Sequence, residues 1–329
     1  MNTYVILGGN GVFGVHTAMY LLEQSDTRKV ICVGRNPEKQ AAYTLSLGQG
    51  DPRYEYHQIH MVFEQDRLFE LFDREKPNII MNFAALAHGA SWTKSWRFYD
   101  SNVTALAKMV EQLAERDYLK RYIQVGSSEL YGAVDAPAKE DAPLLPSSPY
   151  GVSKMAGDLH LVSMFDVRQF PMNIIRPSNS YGEGQQLYRV VPRAVVAGLT
   201  NQKLPLQGGG AARKSYFHAR DLATAMYLMA QKAPLGKIYN VGPPEPISIR
   251  DLVAAVADAL DMPFEQLCEM TPAREGEDSQ YWLDSSAIKK DLGWEQQISI
   301  EEGMKRMVQW GRDHLEFLRG ESAEFILRA

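Results

Sequence analysis

The amino-acid sequence predicts an α/β protein: a doubly wound parallel sheet followed by a smaller C-terminal α/β lobe that binds substrate. Three observations carry that expectation. Short apolar runs recur at residues 4–7, 29–33, 78–85, 121–125 and 172–177, as strands buried on both faces require. Helical spacing appears between runs, the alternation of a parallel sheet with crossover helices. The first run passes directly into a glycine-rich turn and then a helix.

Composition sets outer limits. A chain of 329 residues supports a sizeable core and two lobes. Hydrophobic residues at 45% and charged residues at 23% are ordinary for a globular protein. A formal net charge of −5 argues against a general nucleic-acid or membrane-surface binder. It does not argue against an anionic small molecule in a local cationic pocket. Cys32 and Cys268 supply neither a disulfide framework nor a metal cluster, and both read as buried or semi-buried thiols of a reducing compartment. The chain starts on a strand without a charged leader, and no apolar run approaches membrane-spanning length. The expected location is cytoplasmic.

Gly8-Gly9-Asn10-Gly11-Val12-Phe13-Gly14 follows the first strand and precedes a helix over residues 15–22. Strand, glycine turn and helix form the setting of a dinucleotide site, a Rossmann unit. Gly8 allows the tight turn. Gly11 lets the backbone meet a pyrophosphate at the helix N-terminus, and Gly14 lets helix and strand pack closely. Asn10, Val12 and Phe13 belong to the same cofactor loop. The Gly-x-x-Gly-x-x-Gly spacing resembles that of the short-chain dehydrogenase/reductase superfamily, and of its extended, nucleotide-sugar branch.

The second run ends in Gly34-Arg35-Asn36-Pro37-Glu38-Lys39, without the acidic residue that NAD-selective sites place against the ribose 2′-hydroxyl. Arg35 suits a 2′-phosphate, gripped by charge-assisted hydrogen bonds, with Asn36 and Lys39 beside it. NADP is expected, with NAD as the alternative. The family's acidic residue near the adenine has no clear counterpart in His60-Met61-Val62-Phe63-Glu64. Asn82-Phe83-Ala84-Ala85 resembles the family segment that lines the cofactor, which makes Asn82, Ala84 and Ala85 cofactor residues. His88 stands where nucleotide-sugar dehydratases often carry a histidine and is a peripheral substrate candidate. Trp92 and Trp96 either shape the sugar pocket or fill gaps under a loop. Apolar spacing predicts a helix from Arg97 to about Arg116. The resemblance implies a four-helix homodimer interface there, with a core helix of the monomer as the other reading. Asn102 matches a family asparagine that supports the active site.

Arg121-Tyr122-Ile123-Gln124-Val125 ends in Gly126-Ser127-Ser128-Glu129-Leu130-Tyr131-Gly132, and ligands of such sheets bind beyond the strand ends. Ser148-Pro149 then reads as a helix cap and first turn, placing Tyr150 and Lys154 on one face. Removing hydride from a secondary alcohol needs a base for the hydroxyl proton. A free tyrosine, with a pKa of about 10, serves poorly near neutrality. Lys154 and a nicotinamide charge are expected to lower it, with Ser127 holding the substrate oxygen. Ser127-Ser128-Glu129-Leu130-Tyr131-Gly132 is similar to the corresponding segment of the GDP-mannose 4,6-dehydratases. The resemblance implies that Glu129 removes the C5 proton after oxidation at C4, before water leaves C6. It places Ser128 where dTDP-sugar enzymes carry an acidic aspartate.

Arg176-Pro177-Ser178-Asn179-Ser180-Tyr181-Gly182 resembles the family's Arg-Pro-x-Asn-x-Tyr-Gly. Pro177 and Ser178 then flank the nicotinamide, and Asn179 meets the nucleotide sugar. Arg213 and Lys214 are the candidates for the diphosphate, and Arg274 for a loop that closes over the nucleotide. Gln280 replaces the second arginine of the dTDP-sugar enzymes. Residues 1–175 form the expected cofactor domain, with a return segment near 215–242, and 176–329 mainly the sugar-nucleotide domain. The expected function is a nucleotide-diphosphate-sugar 4,6-dehydratase. A 4-epimerase or 4-keto reductase of the same family is the alternative. A cofactor-binding regulator without turnover is the reading from another class, and intact Tyr150 and Lys154 count against it.

Overall fold

The computed structural model describes residues 1–87, 92, 94–272 and 280–324. Seven strands form its central sheet: β1 (Asn2–Leu7), β2 (Thr27–Gly34), β3 (Tyr54–Gln58), β4 (Ile79–Asn82), β5 (Arg121–Val125), β6 (Met172–Pro177) and, much later in the chain, a strand at Ile238–Val241. All neighbours pair in parallel. From one edge the order is Ile238–Val241, β6, β5, β4, β1, β2, β3, so the chain reverses direction between β1 and β4. Ligand crevices form at such a reversal, outside the carboxyl ends of the strands.

Alternation along β1 explains the two faces. Tyr4 and Ile6 join a core with Val15, Ala18 and Leu21 of the helix Val12–Leu22 and Met226 and Met229 of the helix Ala219–Lys232. Val5 and Leu7 point the other way, to Leu68 and Phe72, Leu106 and Met109, and Leu161. These come from the helices Gln65–Glu75, Ala105–Leu113 and Pro149–Arg168. A separate core forms the second lobe, where Val191 and Val195 meet Leu252, Val256, Met304 and Trp310. The doubly wound sheet that the sequence predicts is thus present.

The short strands of the second lobe include β7 (Asn179–Tyr181), β8 (Leu204–Gln207), β9 (Arg213–Lys214) and β10 (Tyr216–His218). Strand β7 pairs with β10 in parallel. Glu183 lies one residue beyond β7, after Gly182, and its carboxylate sits between two imidazoles. His218 Nδ1 accepts the Arg220 N–H at 3.1 Å, so its Nε2 carries the proton donated to Glu183 Oε2 at 2.9 Å. His16 Nε2 lies 3.0 Å from the Glu183 carbonyl oxygen. This cluster ties the first helix to the loop that enters the second lobe. Cys32 and Cys268 are both buried free thiols. No helix among the described residues is long and apolar enough to cross a membrane.

Candidate active site

A cleft of about 320 Å³ opens at the carboxyl ends of β1, β2 and β4. Gly8 and Gly11 line it, as do Asn10, Arg35, Asn36, Lys39, Ala84 and Ala85. Its shape depends on glycine at two places. Gly8 has φ 81°, and a Cβ there would lie 2.9 Å from the Ala84 nitrogen. A Cβ on Gly14 would lie 2.5 Å from the Gly8 carbonyl oxygen. Asn10 joins two walls, donating from Nδ2 to Pro37 O at 2.8 Å and accepting the Lys39 N–H at 3.2 Å. This cradle fits a dinucleotide.

Some expected cofactor residues stand elsewhere. Asn82 is 1% exposed; its amide donates to the Tyr122 hydroxyl at 2.8 Å and to Gln124 Oε1 at 2.9 Å. Its Oδ1 accepts the Ala84 N–H at 3.0 Å. Asn82 therefore bends the chain into the cleft wall, and its own polar atoms are used inside the sheet. Val12 is buried and Phe13 packs against the core, so neither side chain lines the cleft. Ser178 lies at the end of β6, where its N–H donates to Val241 O at 2.8 Å. Its hydroxyl is buried without a hydrogen-bond partner, an orphan beside Pro177 at the strand ends.

The helix Pro149–Arg168 begins as its residues dictate: Ser148 Oγ accepts the Gly151 N–H at 3.0 Å, and Pro149 occupies the first turn. Tyr150 therefore sits in the helix's first turn, with its ring edge-on to buried Phe98 at 6.1 Å between centroids. The Ser127 hydroxyl lies near enough to the Tyr150 phenol to draw it down, and it accepts the Glu129 N–H at 3.2 Å. Ser128–Tyr131 is a 3₁₀ turn that carries Glu129 against this helix. Burial and the adjacent Glu129 push the Tyr150 phenol above its ordinary value, while Ser127 and Arg189 pull it down. Lys154 is 4% exposed and donates to Val125 O at 2.6 Å; burial pushes its ammonium down. The expected acidification of Tyr150 is thus not supplied by the protein's own surroundings, because burial outweighs them.

Asn102 lies in a π-helical turn, Asp100–Thr104, between the helices Trp96–Tyr99 and Ala105–Leu113. Its Oδ1 accepts the Leu86 N–H at 2.9 Å, and its Nδ2 donates to Leu86 O at 3.1 Å and to Ser153 Oγ at 3.0 Å. Such turns cluster at functional sites. The helix expected from Arg97 is therefore present but wound differently at this point.

Sequence reasoning missed several groups. Asp158 continues the four-residue spacing of Tyr150 and Lys154, and its Oδ2 accepts from Arg176 Nε at 3.0 Å. That spacing was the available signal. Ser101, Gln186, Tyr188 and Arg189 line the cleft from loops and a π turn, where no periodicity points.

The substrate candidates are less gathered. Asn179 starts β7. Arg213 is exposed and donates to Pro246 O at 2.6 Å, and Lys214 stacks 5.8 Å from the Tyr281 ring. Neither lines the cleft. Trp92 and Trp96 are exposed, at 72% and 60%, so they fill no gap beneath a loop. His88 and Arg274 lie outside the described residues.

Fold and site together define an extended short-chain dehydrogenase/reductase. The chain belongs to the GDP-mannose 4,6 dehydratase family, whose model matches residues 5–307. The recognition made from the sequence is therefore borne out. The solved dTDP-glucose 4,6-dehydratase of Bacillus anthracis, in complex with NAD, superposes with a TM-score of 0.87 at 25% identity. The match covers 97% of this chain and 99% of that one. The dTDP-D-glucose 4,6-dehydratase of Mus musculus is 26% identical, over 94% of this chain and 88% of the relative. A trifunctional UDP-glucose 4,6-dehydratase/3,5-epimerase/reductase of Arabidopsis thaliana is 25% identical over 93% of this chain. This chain spans about half the length of that relative, 46%.

Proposed function

We propose that the chain is a nucleotide-diphosphate-sugar 4,6-dehydratase. The observation that carries this reading is the placement of Glu129. It stands on a 3₁₀ turn packed at the start of the Tyr150 helix, and its charge acts on the phenol, so a second acid–base group lies beside the one that handles the hydroxyl proton. A simple 4-epimerase needs no such second base. Family membership and the 4,6-dehydratase relatives support the same reading.

In this mechanism Ser127 holds the sugar O4 and Tyr150 takes its proton. A nicotinamide cofactor, when bound, supplies the hydride acceptor and later returns the hydride. The new C4 carbonyl acidifies C5; Glu129 removes that proton while the C6 hydroxyl, taking the proton drawn from O4 by Tyr150, leaves as water, and Glu129 returns its proton to C5 when the hydride goes back to C6. Lys154 supplies positive charge to the Tyr150 phenolate. Asn179, Arg213, Lys214, His88 and Arg274 are assigned to the sugar nucleotide, carried mainly by residues 176–329.

For the finer cofactor choice we favour NADP, although the Bacillus anthracis enzyme holds NAD. Arg35 borders both the dinucleotide cleft and an adjoining hollow lined by Lys94 and Arg97 against the single carboxylate of Asp100, a net cationic setting for a 2′-phosphate. Leu159 and Val167 are exposed on the helix Pro149–Arg168 and Tyr99 on the neighbouring helix, an apolar face suited to a homodimer.

The deciding experiment incubates the protein with GDP-, dTDP-, UDP- and CDP-sugars in deuterated water. Deuterium at C5 together with loss of the 6-hydroxyl is expected. Inversion at C4 with the 6-hydroxyl retained would instead identify the epimerase.

A further inference from the structure

Beneath the strand-end segment Val125–Gly126 lies a buried ionic group in which Lys154 meets two residues that the mechanism has not used. Lys154, Asp158 and Arg176 are 4%, 1% and 3% exposed. Lys154 reaches up to Val125 O, and a Cβ on Gly126 would lie 3.1 Å from Asp158 Oδ2. The three side chains therefore share one small volume. Two of them are cations and one an anion. Isolated charges are costly in such surroundings unless matched.

Arg176 has other partners. Its Nη1 donates to the Tyr131 hydroxyl at 2.8 Å and to Glu140 O at 3.3 Å. Only one Asp158 oxygen is used by Arg176; Oδ1 is buried and has no hydrogen-bond partner. Lys154 is one helical turn before Asp158; its ammonium hydrogen-bonds the Val125 carbonyl oxygen, and the Asp158 carboxylate acts on it through space without a direct ion pair. Tyr150 is one further turn before that, on the same face.

We infer that Asp158 is a positioning residue for the Tyr150–Lys154 pair, its buried carboxylate holding Lys154 in the ammonium form. The inference rests on the proposed dehydratase reading, in which Lys154 supports a Tyr150 phenolate. Asp158 does not line the cleft; through Lys154 it supports the phenolate, while its own direct field on Tyr150 opposes it. Without it, burial favours the neutral amine, and a neutral amine does not stabilise a phenolate. The other charged groups bearing on this face are Glu129 and Arg189, which act on Tyr150, and Glu140, whose carboxylate accepts the Asn240 N–H.

The test titrates the Tyr150 phenolate by ultraviolet difference absorbance in protein saturated with NADP+, with Tyr150→Phe as the reference that removes the other tyrosines. Asp158→Asn should raise the phenolate midpoint by about 1 pH unit or more, because the amine discharges first. In a Lys154→Met background the same substitution should lower the midpoint, since only the direct field of Asp158 on Tyr150 then remains. That reversal of sign is the expected result. A downward shift in both backgrounds, or no shift in either, overturns the inference and leaves Asp158 as a counter-ion for Arg176 alone. Asp158→Glu keeps the charge and should keep the wild-type midpoint. Asp158→Ser carries the same test if the asparagine variant does not fold. The titration uses no sugar, so it succeeds or fails independently of whether the wild-type protein dehydrates a nucleotide sugar.

Discussion

Asn102 donates to Ser153 Oγ at 3.0 Å, and Ser153 donates in turn to the Tyr150 carbonyl at 2.7 Å. One buried amide thus links Leu86, in the loop after β4, to the first turn of the helix that carries the proposed base. Asn102→Ala leaves the Leu86 N–H and C=O buried without partners. The expected loss is about 2–4 kcal/mol of stability, with turnover falling as Tyr150 loses its anchor. Urea unfolding and initial rates check both.

Glu129→Gln should separate the two halves of the reaction. Oxidation at C4 depends on Tyr150, Lys154 and Ser127, so reduced cofactor still accumulates after mixing with substrate. Elimination needs the carboxylate, so 6-deoxy product should fall by about 10²–10⁴-fold. Unchanged product formation removes Glu129 from the role of base.

Arg35→Ala tests the cofactor choice. Loss of a charge-assisted contact to a 2′-phosphate should weaken NADP by roughly 10–100-fold and leave NAD nearly unchanged. Fluorescence titration of both cofactors measures it, and equal weakening refutes the assignment.

His16 gives a pH prediction. Burial pushes its pKa down from 6.5 to about 4, so the folded protein keeps it neutral. As pH falls below 6.5 the unfolded chain takes up the proton first. Stability therefore declines through the window from 6.5 to 4, by on the order of 3 kcal/mol. His16→Gln should flatten that decline in denaturant unfolding at pH 7 and pH 4.5. An unaltered slope would assign it to other groups.

The sheet was legible because it is written in short apolar runs, and β1 shows why. Tyr4, Val5, Ile6 and Leu7 are all buried, two against each face, so no polar residue interrupts the run. Gly8 and Tyr150 were legible because backbone geometry and helix capping demand particular residues at those points. Asn82 was read one step too literally: a polar residue at a strand end can serve the sheet beneath as well as the ligand above. Arg189 and Glu183 were hidden because their positions follow from tertiary contact, and a loop has no period. The π turn at Asp100–Thr104 was equally invisible, since its apolar spacing still reads as ordinary helix.

That turn makes the segment intolerant of length change. A wider turn holds one residue more than regular helix needs. Deleting a single residue between Trp96 and Asp100 would let the ladder relax to regular α-helix, a favourable local change. It would also swing Asn102 by about 100° around the axis, away from Leu86 and Ser153. The extra residue works as a spacer gauge: alignment between the cleft wall and the base-bearing helix is set by a count of residues, and any shortening there trades helical regularity for a misaimed tyrosine.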